Sequence, residues 1–267
     1  MSLIKTIIKC PTCNQIIAAE SKNYNFCEQF KYRIEKSEDY YTFIDFHPNL
    51  VENRVEFSQD KPERFITQLF DNSVLPWFYE NLLPTVWKMG LRGLGGIERE
   101  SQEVLEFFGE GLQVVMDLSC GTGIMTRKLA KNQVSKFIIS LDYSESMLGM
   151  LKKQLDIQKT SSSDNLVIIR GNAESIPLID NCLDAVYVGA AIHCWENPRT
   201  AIEEIYRVLK KDGKLFATTF TDFFPDLNRL VFMSNEELRE TFEGVGFQKP
   251  SLEIKSEGVY VTIKCIK

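Results

Sequence analysis

The sequence predicts an α/β chain, a Rossmann-like and mostly parallel sheet covered by helices, with a small N-terminal β ribbon and a helical neck ahead of it. Three observations carry that expectation. From residue 111 onward, short apolar runs alternate with stretches of helical period, the pattern of a parallel sheet sandwiched by helices. The first of those runs, residues 113–118, passes directly into Ser119-Cys120-Gly121-Thr122-Gly123, a strand ending on a glycine turn. Only Ser256-Glu257-Gly258 separates the last two runs. So short a link allows a hairpin but no right-handed crossover, and the final strand must enter antiparallel to its neighbour.

Each element follows from local pattern. Residues 1–46 hold short β-like runs at 3–9, 15–19 and 40–46, broken by CPTC and SKNYN, and read as a head. Residues 47–110 form the neck. Phe65, Leu69, Trp77, Leu82 and Val86 recur at helical spacing between Pro76, Pro84 and the glycine-rich GLRGLGG, so short helices are expected over 60–110. The main domain, 111–267, then gives strand 113–118, helix 122–131, strand 136–141, helix 144–158, strand 166–170 and strand 185–189. A helix over 199–210 puts Ala201, Ile202, Ile205, Val208 and Leu209 on one face, stops at Lys211-Asp212-Gly213 and feeds strand 214–220. Ser234 with Glu237 is a capping box for a helix through Phe242, and strands at 248–255 and 259–266 close the chain.

The chemistry concentrates at two strand ends. Gly121 and Gly123 let a ligand approach the backbone more closely than a Cβ allows, with helix N–H groups facing it. A dinucleotide fingerprint needs a third glycine where Thr126 stands, and a phosphate-gripping loop needs Gly-Lys-Ser/Thr where Gly123-Ile124-Met125 stands, so nicotinamide, flavin and ATP lose ground. Asp142 ends the next strand twenty-one residues after Gly121, where its carboxylate reaches the same crevice and suits the paired hydroxyls of a ribose; a helix N-cap is the alternative role. Asn172, after the third strand, sits where a side-chain amide can flank an adenine edge, or simply make a turn.

Composition bounds the rest. The chain has 267 residues, 44% hydrophobic and 25% charged, the makeup of a globular protein with a sizeable core. No apolar run approaches the roughly 20 residues that span a bilayer, and seven scattered cysteines point to reduced thiols, so the expected compartment is cytoplasmic. A net charge of -6 is the wrong sign for a protein that gains affinity from neutralising phosphates, and nucleic acid is an unfavoured partner. The charge is uneven: residues 1–36 carry six Lys/Arg against three Glu, while 38–110 carry six against fourteen Asp/Glu.

Taken together, DLSCGTG, LDYSESML, GNAESIPL, LDAVYVGAAIHCW and EIYRVLKKDGKL resemble the successive motifs of the class I S-adenosylmethionine-dependent methyltransferases over residues 111–267. GAAIHCWENP, and FYENLLPTVWKMGLRGLGGIERE ahead of the fold, are similar to the UbiE-like group of plastids and cyanobacteria. The resemblance implies a seven-stranded sheet ordered 3-2-1-4-5-7-6 and S-adenosyl-L-methionine as cofactor. It places Asp117, Ser119, Gly121, Thr122 and Gly123 around the methionine end, Asp142 at the ribose, Tyr143 and Met147 beside the adenine, Asn172 and Ala173 at its edge, and Gly189 with Ala190 beside the methyl group. His193 is then the candidate base, against the plainer reading that it lines the substrate mouth, and Trp77, Tyr79 and Trp195 are candidate lid aromatics or ordinary core.

Cys10-Pro11-Thr12-Cys13 with Cys27 makes three members of a zinc ribbon, but Phe30 stands where the fourth ligand of related proteins falls, so a degenerate ribbon without zinc is expected. The connection over 221–233 is short, which leaves residues 60–100 to close the substrate site. The expected function is methyl transfer to a small or lipid-like acceptor, with a quinol as one such acceptor. An rRNA base methyltransferase and a non-enzymatic S-adenosylmethionine-binding adapter are the alternatives.

Overall fold

The computed structural model describes residues 6–10, 16, 25–27, 30–36, 42–45, 76, 80, 96–158, 165–221 and 230–267. Its main domain is built from β4 (Leu112–Leu118), β5 (Ser135–Asp142), β6 (Leu166–Arg170), β7 (Leu183–Val188), β8 (Leu209–Phe220), β9 (Glu253–Glu257) and β10 (Tyr260–Ile266), after β1 (Asn25–Cys27), β2 (Phe30–Lys36) and β3 (Thr42–Asp45). The described helices are α1 (Gly96–Phe108), α2 (Ile124–Lys131), α3 (Glu145–Gln158), α4 (Pro198–Val208) and α5 (Asn235–Val245). The sheet runs β1-β2-β3-β6-β5-β4-β7-β8-β10-β9. Within the main domain that is the expected order 3-2-1-4-5-7-6, with β10 antiparallel to both β8 and β9.

Both sheet faces are covered, which is why the central strands are apolar throughout rather than alternating. All five residues of β6 are buried, as are the middle five of β5. One face packs Val115, Ile138, Tyr187 and Phe216 against Val104 and Phe108 of α1, Leu129 of α2 and Leu148 and Leu151 of α3. The other packs Met116, Leu118, Val186 and Val188 against Ile202 and Ile205 of α4 and Leu238 and Phe242 of α5. The capping box at Ser234 and Glu237 is present in both directions.

The structure differs from the sequence reading in three places. The helix expected over 199–210 with its stop at Lys211-Asp212-Gly213 ends earlier, at Val208, and those three residues lie inside β8, which begins at once. The register on β7 jumps from Leu183↔Leu209 to Ala185↔Lys214, so residues 210–213 bulge out of the strand, with Asp212 at φ 62. That bulge is fastened by Asp212 N–H donating to the Lys267 carbonyl and Lys267 N–H to the Gly213 carbonyl, contacts the local sequence cannot reveal. The strand expected at 248–255 begins only at Glu253.

Third, residues 6–10 are not a run of strand: Thr6 and Ile7 are helical, and only isolated bridges follow, Ile8 with Leu178 and Lys9 with Ile16. The ribbon strands join the main sheet, because β3 pairs in parallel with β6. Ile7, Ile8 and Cys10 lie buried with Leu178, Ile176 and Cys182, and Ile179 N–H donates to the Ile7 carbonyl at 2.9 Å. Much of residues 47–95, including the expected helices around Trp77 and Tyr79, lies outside the described residues, as does most of the 221–233 connection. Since Ile8 is fully buried, Ile8→Ala is expected to cost about 2–4 kcal/mol in urea unfolding; a loss under about 0.5 kcal/mol would show that this segment does not belong to the core.

Candidate active site

All the parallel strands end on one edge, and the crevice outside those ends is where an open α/β sheet binds its ligand. Immediately beyond β4 the chain coils through three left-handed residues, Ser119 at φ 55, Gly121 at φ 54 and Gly123 at φ 74. The two glycines serve different purposes. At Gly123, the N-cap of α2, a Cβ would run into Leu151 of α3, so glycine lets the helix pack. At Gly121 a Cβ would meet nothing within 4 Å, so the backbone there borders open space. Asp142 ties this turn to β5: one carboxylate oxygen accepts the Gly121 N–H at 2.8 Å and the other the Ser144 N–H at 2.9 Å. Cys120 N–H adds a bond to the Leu141 carbonyl at 3.0 Å. The N-cap of α3 is Ser144, whose hydroxyl accepts the Met147 N–H at 3.3 Å, so Asp142 is not the helix cap but a bridge between that cap residue and the Gly121 turn.

Beneath the turn lies a buried polar cluster. The Thr126 hydroxyl donates to Asp117 at 2.6 Å and accepts from Ser140 at 2.8 Å. Thr126 occupies the place of the third glycine in a dinucleotide fingerprint, and its hydroxyl is what position 126 contributes instead. Burial pushes the Asp117 carboxyl up to about 7, against the lowering effect of Thr126, with Asp142 and Glu100 adding to the rise. Thr122 is 2% exposed, and its hydroxyl is a buried side-chain oxygen without a hydrogen-bond partner. Arg127 braces the same turn, donating to the Thr122 carbonyl at 2.7 Å and, through a forked pair at 2.9 and 3.0 Å, to Glu80 of the neck.

Around this centre the other candidate residues fall into place unevenly. Tyr143 is 38% exposed on the rim, while Met147 is buried. Gly171 N–H reaches the Asp142 carbonyl at 3.0 Å, bringing the end of β6 to the crevice. Ala173 is buried, and Asn172 is exposed with its amide oxygen accepting Glu174 N–H in a local turn. After β7, Ala190 is left-handed at φ 50 and donates its N–H to Thr218 at 2.8 Å. Trp195 is not a surface flap: it is 7% exposed, and its indole N–H donates to the Ser119 hydroxyl at 3.0 Å, bracing the turn from below. Trp77 and Tyr79 lie outside the described residues.

His193 sits on a short 3-10 turn, Ile192–Cys194, 8% exposed. Its ring stacks on Phe232 at 5.8 Å between centroids and meets Phe220 edge-on at 5.3 Å, with Nδ1 3.2 Å from the Thr219 hydroxyl. Burial drives its pKa down to about 4, so the imidazole is neutral. Five residues escaped the sequence reading: Arg127, Glu80, Ser140, Thr218 and Glu100. Glu100 alone left a trace, being a glutamate on the buried face of α1 with Ser101, Val104 and Phe108. Of the incomplete zinc set, Cys10 is buried, Cys13 is outside the described residues and so is the Cys27 side chain; among the described residues no group of three His, Cys, Asp or Glu is arranged to hold a metal.

Two predictions follow from this geometry. Gly123→Ala is expected to cost about 2–4 kcal/mol, from left-handed strain plus the Leu151 clash, and Gly121→Ala only about 1 kcal/mol; equal costs in urea unfolding would refute the division of labour. The buried acid and the histidine oppose each other in pH dependence. Asp117 binds more protons folded than unfolded between about pH 4 and 7, so its contribution to stability falls as pH rises. His193 binds more protons unfolded between about 4 and 6.5, so its contribution falls as pH drops. Relative to the parent, His193→Gln is expected to tilt stability downward with rising pH and Asp117→Asn upward, and slopes unchanged in both variants would refute the assignment.

Residues 116–217 match the family model described as a methyltransferase domain. Among curated relatives, an uncharacterized chloroplastic methyltransferase of Arabidopsis thaliana is 33% identical, over 64% of this chain and 48% of its own length. The demethylmenaquinone methyltransferase of Lactiplantibacillus plantarum is 38% identical over 38% of this chain and 42% of its own. The chloroplastic 2-methyl-6-phytyl-1,4-hydroquinone methyltransferase 1 of Oryza sativa subsp. japonica is 29% identical over 72% and 55%. The chain thus spans about half the length of each relative, and two of the three are named for a compartment other than the expected cytoplasm. Among solved structures, the [4+2]-cyclase SpnF shares the fold at TM-score 0.62 and 19% identity, over 76% of this chain and 94% of that one. A SAM-dependent methyltransferase from Aquifex aeolicus does so at 0.52 and 21%, over 62% and 89%. The glycine turn and the bridging Asp142 thus lie inside the part of the chain that matches the methyltransferase domain, and the proteins it resembles include chloroplastic methyltransferases and UbiE-like demethylmenaquinone methyltransferases.

Proposed function

We propose that the chain methylates a ring carbon of a quinol-type acceptor. The observation that carries the reading is the open space over Gly121, whose N–H the Asp142 carboxylate holds, with the buried, unpartnered Thr122 hydroxyl one residue further on. A backbone approach with no Cβ, a buried polar group awaiting a partner and an acceptor-only carboxylate match the amino-acid and ribose parts of S-adenosylmethionine. Asp117, Ser119, Gly121, Thr122 and Gly123 would hold its methionine end, Asp142 its ribose, Tyr143, Met147, Asn172 and Ala173 its adenine. Gly189 and Ala190 would border the reacting methyl. When bound, the cofactor supplies a sulfonium-activated methyl, and what remains for the protein is proximity and orientation.

Support for a quinol comes from two relatives, whose names specify demethylmenaquinone and a phytyl hydroquinone, and from the apolar wall of Phe220, Phe232 and the neutral His193. A base with a pKa near 4 is too weak to strip a phenol, but a ring carbon that has just gained a methyl group holds a strongly acidic hydrogen. His193 is thereby suited to carbon methylation: it accepts that hydrogen after transfer and restores the aromatic ring. Glu80, forked onto Arg127 with both side chains 11% exposed, ties that point of the chain to the glycine turn.

The test is incubation with S-adenosylmethionine and a short-chain demethylated naphthoquinol, with mass spectrometry of the product and calorimetry with S-adenosylhomocysteine. A carbon-methylated quinol is expected. His193→Gln should lower turnover at least about a hundredfold with cofactor affinity intact, and Asp142→Ala should weaken that affinity by roughly tenfold. Glu80→Gln should lower turnover of the quinol. Cofactor binding without any methylated quinol would overturn the acceptor, and no cofactor binding would overturn the whole assignment.

A further inference from the structure

A second polar cluster lies outside the cofactor turn, between α1 and the strands β7, β8 and β10. Its centre is Glu100, 5% exposed on the buried face of α1. The Tyr187 hydroxyl of β7 donates to one carboxylate oxygen, and the Thr218 hydroxyl of β8 reaches the same oxygen at 3.4 Å. The Tyr260 hydroxyl of β10 donates to the other at 2.8 Å. Burying a carboxylate is costly unless several donors meet it, and a merely structural site on an apolar helix face is filled more cheaply by leucine.

What the cluster touches explains its presence. Thr218 has one hydrogen; with that hydrogen directed at Glu100, its lone pairs face the other way, and there it accepts the Ala190 N–H at 2.8 Å. Tyr187, held by Glu100, lies directly beneath Gly189, where a Cβ would collide with the phenol oxygen. Both residues of the 189–190 turn are thus set by groups that Glu100 orients. Ala190 is left-handed at φ 50, a conformation that costs a non-glycine residue about 1–2 kcal/mol and persists where the surroundings over-determine it.

We infer that Glu100 is a positioning residue for methyl transfer, acting through Thr218 and Tyr187 to hold Gly189 and Ala190 in the geometry that borders the reacting methyl. The inference rests on the reading of the 189–190 turn given above, while the linkage itself is independent of the acceptor. Its consequence is specific: loss of the carboxylate should loosen one turn, not the sheet.

The test compares Glu100→Gln, Thr218→Val and Thr218→Ser in the full chain, by amide hydrogen exchange at Ala190 and by kinetics with the naphthoquinol and S-adenosylmethionine. Glu100→Gln and Thr218→Val are expected to speed exchange at Ala190 by roughly tenfold and lower kcat by a similar factor, with KM for the cofactor changed less than about twofold. Thr218→Ser, which keeps the hydroxyl, should restore both. Exchange and kcat within twofold of the parent in both disruptive variants would overturn the proposal. Should Glu100→Gln not fold, the contrast between valine and serine at 218 decides alone. Failure of the parent to bind S-adenosylhomocysteine would instead sink the cofactor assignment, leaving the exchange at Ala190 as the measure of the linkage.

Discussion

One carboxylate joins the parts that matter. Asp142 ends β5 and accepts N–H groups from Gly121, beyond β4, and from Ser144, ahead of α3. The parallel sheet makes this possible, since right-handed crossovers bring the carboxyl ends of adjacent strands to one edge. It also makes it necessary, because the turn after β4 is left-handed at three of five positions and exposes N–H groups that no helix or strand satisfies. The Gly121 N–H is one such group, and it is satisfied from the neighbouring strand, so the crevice is shaped by β5 as much as by β4.

A second layer of polar residues supports that edge from within. Asp117, Thr126 and Ser140 lock β4, α2 and β5 together, and Trp195 reaches under the turn to Ser119. Glu100 does for the ends of β7 and β8 what Asp142 does for β4 and β5. These groups are costly to bury, and the shift of Asp117 toward neutrality shows it. They lie at the strand ends, while the middle of the sheet is apolar on both faces. Polar burial concentrated at one edge is the arrangement expected where binding rather than folding dictates the residues.

Much of this was legible in the sequence, and the limit has a physical basis. The succession of strands and helices from β4 to β10 and the position of the crevice follow from signals within a few residues of each other: apolar period, a glycine pair, an aspartate at a strand end, a three-residue hairpin link; the order of the strands across the sheet came only with the family resemblance. What escaped depends on contacts far apart in sequence. The bulge at 210–213 is fastened by Lys267, Arg127 answers Glu80, and Glu100 answers Tyr260. Thr126 was visible as a departure from a dinucleotide fingerprint, yet its partner Ser140 was not. Residues 6–10 misled because a short apolar run reads as a ribbon strand whether it pairs locally or is buried against a distant loop, as Ile7 and Ile8 are.

The fold by itself does not determine the reaction. A [4+2]-cyclase shares this architecture at a TM-score above that of the methyltransferase from Aquifex aeolicus. The distinction must lie in what the edge holds beyond the cofactor turn, at the ends of β7 and β8. There the structure sets a neutral histidine against two phenylalanines, three residues after a left-handed alanine whose N–H is held by a threonine. An apolar wall with one weak base is poorly built for deprotonating an amine or a phenol beforehand, and well built for a flat ring that becomes acidic only once it has reacted. Under the proposed carbon methylation, burial that lowers the pKa of His193 leaves it a base suited to a proton released only after transfer.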